Sequence, residues 1–204
     1  MSAALPDRDH DSEPEQTAQT PSPPTTGAGY PSLQPALHLQ IQIGPASHVG
    51  SLSRGAPLTV VPLVSGTLRS EPGFPVDVDA WTRAPGVDYV HNDPDGSRMR
   101  LRSDLVVADT RGEEIHVHYT GIVDITNEMR RILGRSANAR STDFGHSFIH
   151  ITFETGAMRY RALEQALFVG SGRFILTDEG LKVEYRISKV CAGPGGAEES
   201  SSSG

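Results

Sequence analysis

Leu37-His38-Leu39-Gln40-Ile41-Gln42-Ile43 is the stretch that decides the fold. Leu37, Leu39, Ile41 and Ile43 share one side, and His38, Gln40 and Gln42 share the other. A period of two belongs to a strand whose faces meet different surroundings; a helix would mix both sets around its axis. The pattern recurs in 115–119, where Ile115, Val117 and Tyr119 oppose His116 and His118. It recurs again in 181–187, where Leu181, Val183, Tyr185 and Ile187 oppose Lys182, Glu184 and Arg186.

Weaker copies lie between these. Met99, Leu101, Ser103 and Leu105 oppose Arg100, Arg102 and Asp104; Ile149, Ile151 and Phe153 oppose His150, Thr152 and Glu154. Residues 58–64 and 167–176 are rich in β-branched and other apolar side chains. Pro94-Asp95-Gly96, Arg111-Gly112 and Asp178-Glu179-Gly180 supply turn chemistry. The chain reads as mostly β, an antiparallel closed β-barrel of about eight strands with one or two short helices, because closure removes exposed strand edges. The helices fall at 127–135, with Thr126 as N-cap and Met129, Ile132 and Leu133 on one face, and at 160–167, where Leu163 and Leu167 lie four apart. The polar segment 136–145 reads as a mobile loop beside a barrel mouth.

The 204 residues divide into three parts. Residues 1–30 carry five prolines, many Ser and Thr and no large apolar cluster, and read as a disordered tail. Residues 191–204, ending in AGPGGAEESSSSG, read the same way. Residues 31–190 form one barrel domain, since about 160 residues build a single sizeable core. The formal charge of −7 sits mostly outside that domain. Five acids against Arg8 in the first thirty residues, and Glu198 and Glu199 at the end, leave the domain near neutrality. Without a basic stripe, nucleic acid is not an expected partner. No apolar run approaches the roughly 20 residues that span a bilayer, so no membrane partner is expected, and the N-terminus lacks a signal-peptide pattern. With Cys191 as the single cysteine, the expectation is a cytoplasmic protein without an internal disulfide.

Three constellations bear chemistry. His116-Val117-His118 presents two imidazoles on one face, as metal-binding cupin barrels do, but neither the acidic ligand three or four residues on nor the downstream histidine element follows; no metal is expected. Arg102, Asp104, His116, His118, His150, Thr152 and Glu154 occupy the polar faces of their strands. If those faces line one enclosed space, a proton donor and an acceptor flank a common substrate; if they form the outer wall, the apolar faces fill the interior. Alternation leaves both open. Asp77-Val78-Asp79-Ala80-Trp81 sets an indole among carboxylates, as a pocket wall or as packing. Gly170-Ser171-Gly172-Arg173 lacks the third glycine and following helix of a dinucleotide fingerprint and reads as a strand bend; no serine-nucleophile elbow or phosphate loop is present, and no cofactor is expected.

Phe153-Glu154-Thr155-Gly156, Arg159-Tyr160 and Leu167-Phe168-Val169-Gly170-Ser171-Gly172-Arg173 resemble the bacterial and fungal family known as domain of unknown function 3237. The opening strand, residues 112–121 and the closing strand are similar too. Two positions depart from the family pattern: Ala80 stands between Asp79 and Trp81, and Ala162-Leu163-Glu164 replaces an aromatic–Leu–Asn run. The resemblance implies a compact β-barrel, offers Glu154 and Tyr160 as pocket residues, and suggests natural-product chemistry. The resulting expectation is a cofactor-independent acid–base isomerase, cyclase or dehydratase acting on a small hydrophobic, polyketide- or terpenoid-like substrate. Asp104, His116 and Glu154 would be catalytic, with Trp81, Arg102, His118 and Tyr160 binding substrate. The alternatives are a non-catalytic small-molecule-binding barrel and an interaction protein. A homodimer or higher homo-oligomer is the expected assembly.

Overall fold

The computed structural model describes residues 29–194; residues 1–28 and 195–204, on which most of the two expected tails fall, lie outside the described residues. The strands are β1 (Ser32–Ile43), β2 (Ser47–Gly50), β3 (Leu58–Ser70), β4 (Asp79–Asn92), β5 (Arg98–Asp109), β6 (Glu114–Asp124), β7 (Ser147–Glu154), β8 (Phe168–Thr177) and β9 (Gly180–Cys191). Two short helices, α1 (Asn127–Leu133) and α2 (Arg161–Glu164), interrupt them, α2 continuing a 3-10 turn at Met158–Tyr160. Neighbouring strands run β1-β9-β8-β7-β6-β5-β4-β3, all antiparallel, and β1 also pairs with β3, which closes an eight-stranded barrel. The short β2 pairs with β3 outside that cycle. Among the described residues no helix is long and apolar enough to cross a membrane.

Burial decides which face is inward. Leu37, Leu39 and Ile41 of β1, Ile115, Val117 and Tyr119 of β6, and Val183, Tyr185 and Ile187 of β9 are all buried inside. Their polar neighbours face outward, which is the cheaper arrangement for a barrel whose interior is just wide enough to be filled by side chains. The expected turns are present, with Gly96, Gly112 and Gly180 at φ of 66°, 78° and 119°.

The structure departs from the sequence expectation in three places. Asp79 and Trp81 belong to a full strand, β4, that the sequence reading did not mark. Arg83-Ala84-Pro85-Gly86 breaks its alternation, and the β4–β5 register shifts there. The second helix is shorter than 160–167, a 3-10 turn followed by one α-turn, and Phe168 already begins β8. Segment 136–145, expected to be mobile, is tied to β8 by Thr142 N–H to Phe174 O (2.8 Å), Phe174 N–H to Thr142 Oγ1 (2.9 Å) and Leu176 N–H to Ser141 Oγ (3.0 Å).

The two ends of the barrel differ. At one, Tyr160 and Leu163 are fully buried and Phe168 packs edge-on against Phe153 and Phe74, at centroid distances of 5.3 and 6.3 Å. This end is plugged. At the other, Met129 and Ile132 of α1 roof an open cavity. Thr126 caps that helix as expected, its hydroxyl accepting from Met129 N–H at 3.2 Å.

Candidate functional site

The polar constellation singled out from the sequence lies on the outer wall. Asp104 on β5 faces His118 on β6, and His116 faces Glu154 on β7. Asp104 Oδ1 lies 2.8 Å from His118 Nδ1 and 3.3 Å from His116 Nε2. Asp104, His118 and His116 are 38, 34 and 37 % exposed, and Glu154 is exposed beside them. Cross-strand pairing brings the histidines and aspartate together, yet water reaches all of them. The enclosed space on which their joint catalytic role depended is not on that face. Arg102 also points outward, its guanidinium 4.9 Å from the Tyr89 ring centroid. Among the described residues, no three His, Cys, Asp or Glu side chains converge as metal ligands would.

Trp81 and Tyr160 separate as well. Trp81 stands 43 % exposed on the outside of β4, opposite Ala108 and Thr67. Tyr160 is 1 % exposed in the plugged end, where its hydroxyl donates to Asp109 Oδ2 at 2.8 Å. Burial and that bond push the Tyr160 hydroxyl up to about 12. Burial works against the Asp109 carboxylate, but Tyr160, the backbone N–H groups of Glu113 and Arg111, and the Arg159 guanidinium at 3.0 Å outweigh it and hold its pKa below the ordinary value. A carboxylate satisfied by that many donors is a structural tie.

The cavity at the open end encloses about 840 Å³. Its wall is mostly aliphatic, aromatic and thioether: Val61, Leu63 and Met99 from strands, Met129 and Ile132 from the roof, Phe174 from β8. Set into this wall is Asp88, 8 % exposed. β4 turns it inward beside Val90, and the β4–β5 register places it opposite Ser103, which in turn lies opposite Tyr119 of β6. Tyr119 and Tyr185 line the same cavity with ring centroids 5.5 Å apart. A row of polar groups therefore crosses three adjacent strands midway down an apolar barrel.

The electrostatics of that row are unusual. Burial pushes the Asp88 carboxyl up to about 6, opposed more weakly by the Ser103 side chain and the Arg102 backbone. Burial likewise drives Tyr119 and Tyr185 well above the ordinary phenol value, so both remain donors at neutral pH. Asp88 Oδ1, Ser103 Oγ and Ser147 Oγ are buried and make no hydrogen bond of full geometry, although Ser103 lies close enough to Asp88 and Tyr119, and Ser147 to Tyr185, to oppose the upward push of burial on their pKa values. Such atoms cost stability unless something else satisfies them, and they mark where a ligand's polar groups belong. An acid that ionises near neutrality, with neutral phenol donors in the same largely apolar space, is equipped for proton transfer next to a developing oxyanion.

Sequence reasoning missed Asp88, Ser103, Tyr119, Tyr185 and Ser147 as a site. One signal was present: Asp88 shares strand parity with Val90, so an inward-facing β4 would carry a carboxylate into the core. Without β4 itself that parity had no meaning.

Solved structures with the same fold come from several organisms. A conserved protein of unknown function from Rhodopseudomonas palustris superposes with a TM-score of 0.64 at 18 % identity, covering 80 % of this chain and 99 % of its own. A β-barrel-like protein from Acinetobacter baumannii AYE gives 0.60 at 18 % identity, covering 84 % of this chain and 99 % of its own. An enzyme from Penicillium herquei gives 0.51 at 17 % identity, covering 85 % and 99 %. At these identities the likeness concerns the fold. No curated protein matches the chain. The resemblance carried by Phe153–Gly156 and Leu167–Arg173 extends across the whole barrel: residues 31–190 match the family described as protein of unknown function (DUF3237), and the chain belongs to that family.

Proposed function

We propose that the chain is a cofactor-independent acid–base enzyme, an isomerase, cyclase or dehydratase, acting on a small hydrophobic, polyketide- or terpenoid-like substrate inside the barrel. The observation that carries this reading is Asp88, a buried carboxyl with one unpartnered oxygen, facing an apolar cavity and ionising near pH 6. General bases work best when their pKa lies close to the working pH, and apolar burial is a known way of raising a carboxylate to that point. That an enzyme from Penicillium herquei uses the same fold supports an enzymatic reading over a purely structural one.

In this proposal ionised Asp88 removes a proton from carbon beside a carbonyl. The electron pair of the broken C–H bond moves toward the carbonyl oxygen, and a tyrosine hydroxyl, Tyr119 or Tyr185, donates to the resulting oxyanion. Returning the proton to a different carbon gives isomerisation. Attack by the enolate on an electrophilic carbon of the same folded substrate gives ring closure. Handing the proton to a departing hydroxyl releases water and gives dehydration. The apolar wall holds the substrate in a reactive pose and keeps bulk water from competing.

A second reading, a non-catalytic binding barrel, draws support from the same wall, since among the described residues Asp88 is the only carboxylate set among its inward-facing strand residues. One experiment separates them. A β,γ-unsaturated cyclic ketone is incubated with the protein in deuterium oxide, and exchange of the protons beside the carbonyl is followed by NMR. Catalysed exchange that rises with pH through about 6 and drops about a hundredfold or more in Asp88→Asn is the expected result. Stoichiometric binding without exchange in either protein establishes the carrier instead.

A further inference from the structure

The rim of the cavity is not apolar. Arg135 lines it beside Leu133 and Ser136, immediately beyond α1. Its φ of 50° makes it the one non-glycine residue among those described to adopt the left-handed backbone conformation. The bonds around it explain the position: Gly134 N–H returns to Arg130 O, Arg135 N–H to Ile132 O, and Ser136 N–H to Arg131 O. Arg135 therefore sits just past the helix end, where glycine is the ordinary occupant because it enters this conformation without strain. A glycine is available in the sequence, but Gly134 stands one residue too early and keeps a φ of −79°.

The strained residue is also electrostatically idle. Among the described residues no carboxylate pairs with Arg135, whereas Arg131 in the same turn region pairs with Glu128 and Arg130 donates to Gly96 O. The other charged groups at the rim are engaged: Glu179 pairs with Lys182, and His48 bonds to Thr59. A long cation held in a costly conformation, at the mouth of an apolar cavity and without a partner, points to a missing anion. Asp88 at the inner end would repel that anion, so an anionic group and the inner carboxylate belong at opposite ends of the space.

Building on the cavity assignment above, we infer that the ligand is an amphiphilic anion, its apolar body inside the barrel and a carboxylate-like group at the mouth against the Arg135 guanidinium. Arg135 is then a specificity-determining residue that sets which end of the ligand enters first.

Two matched probes test this by calorimetric titration at pH 7.5: 2-naphthylacetic acid and the neutral 2-naphthaleneethanol. The acid is expected to bind the wild-type protein about tenfold more tightly, a difference that falls as salt is raised. Arg135→Gly relieves the backbone strain, so it folds; it is expected to abolish the preference while leaving the affinity for the alcohol unchanged, and Arg135→Lys to retain part of it. Equal binding of both probes to the wild type, or a preference that survives in Arg135→Gly, overturns the inference and leaves the cavity assignment standing. Failure of both probes to bind overturns the two together.

Discussion

A carboxyl group moved from water into an apolar interior keeps its proton to higher pH, and for Asp88 ionisation moves from 3.8 to about 6. Between those values the folded chain holds a proton that the unfolded chain has released. Stability therefore falls as pH rises through this window, and by pH 7 the buried charge costs about 3 kcal/mol. Asp88→Asn removes the titration. Urea unfolding should find the variant as stable as wild type near pH 4 and more stable at pH 7.5, by up to about 3 kcal/mol; a difference that does not change with pH would contradict the placement of Asp88. The same residue shows why the site was hard to see in the sequence. His116-Val117-His118 and Glu154 attract attention because reactive side chains share a strand face, but alternation cannot say which face is inward. Asp88 sits between Val87 and Tyr89, apolar neighbours that face the other way, and so produces no contrast.

Most strands were legible because each meets two environments, wet outside and dry inside, and the chain records the difference as a period of two. β1, β5, β6, β7 and β9 announce themselves in this way. β4 does not, because Pro85 cannot donate to a ladder and Gly86 has no side chain: a Cβ there would lie 2.5 Å from Asp104 O, where the neighbouring strand approaches closely. The four-residue β2, exposed throughout, buries nothing and leaves no pattern. Gly170 and Gly172 in β8 were read as a bend. They also make room: a Cβ on Gly172 would collide with the Tyr185 ring and stand 3.0 Å from Ser147 Oγ. Tyr185 is fully buried and lines the cavity, so its ring can give way only toward that space. Gly172→Ala should thus destabilise the barrel by about 1–3 kcal/mol, as overpacking does, and should shift the Tyr185 ring within the cavity. Urea unfolding reads the first effect. The second appears as weaker binding of 2-naphthaleneethanol, and retention of full affinity with unchanged stability would show that the glycine gives Tyr185 no needed space.

On the scale of the whole molecule, closure through β1–β3 makes one cylinder with two unlike ends. The plugged end combines the Phe153, Phe168 and Phe74 contacts with the Asp109, Arg159 and Tyr160 tie; the open end keeps about 840 Å³ free under α1. Stability and ligand binding should therefore be separable by position along the axis. Leu163→Ala empties a fully buried site in the plugged end and should cost about 2–5 kcal/mol, with little effect on the affinity for 2-naphthaleneethanol. Val183→Phe extends a side chain into the open cavity, where there is unfilled volume to receive it. Its stability should change by no more than about 1 kcal/mol, because the added atoms fill space rather than displace neighbours. Its affinity for the probe should drop tenfold or more. Calorimetric unfolding and titration on both variants give the four numbers. If Leu163→Ala weakens binding as strongly as Val183→Phe does, the two ends are mechanically one unit, and the division of this barrel into a structural half and a binding half fails.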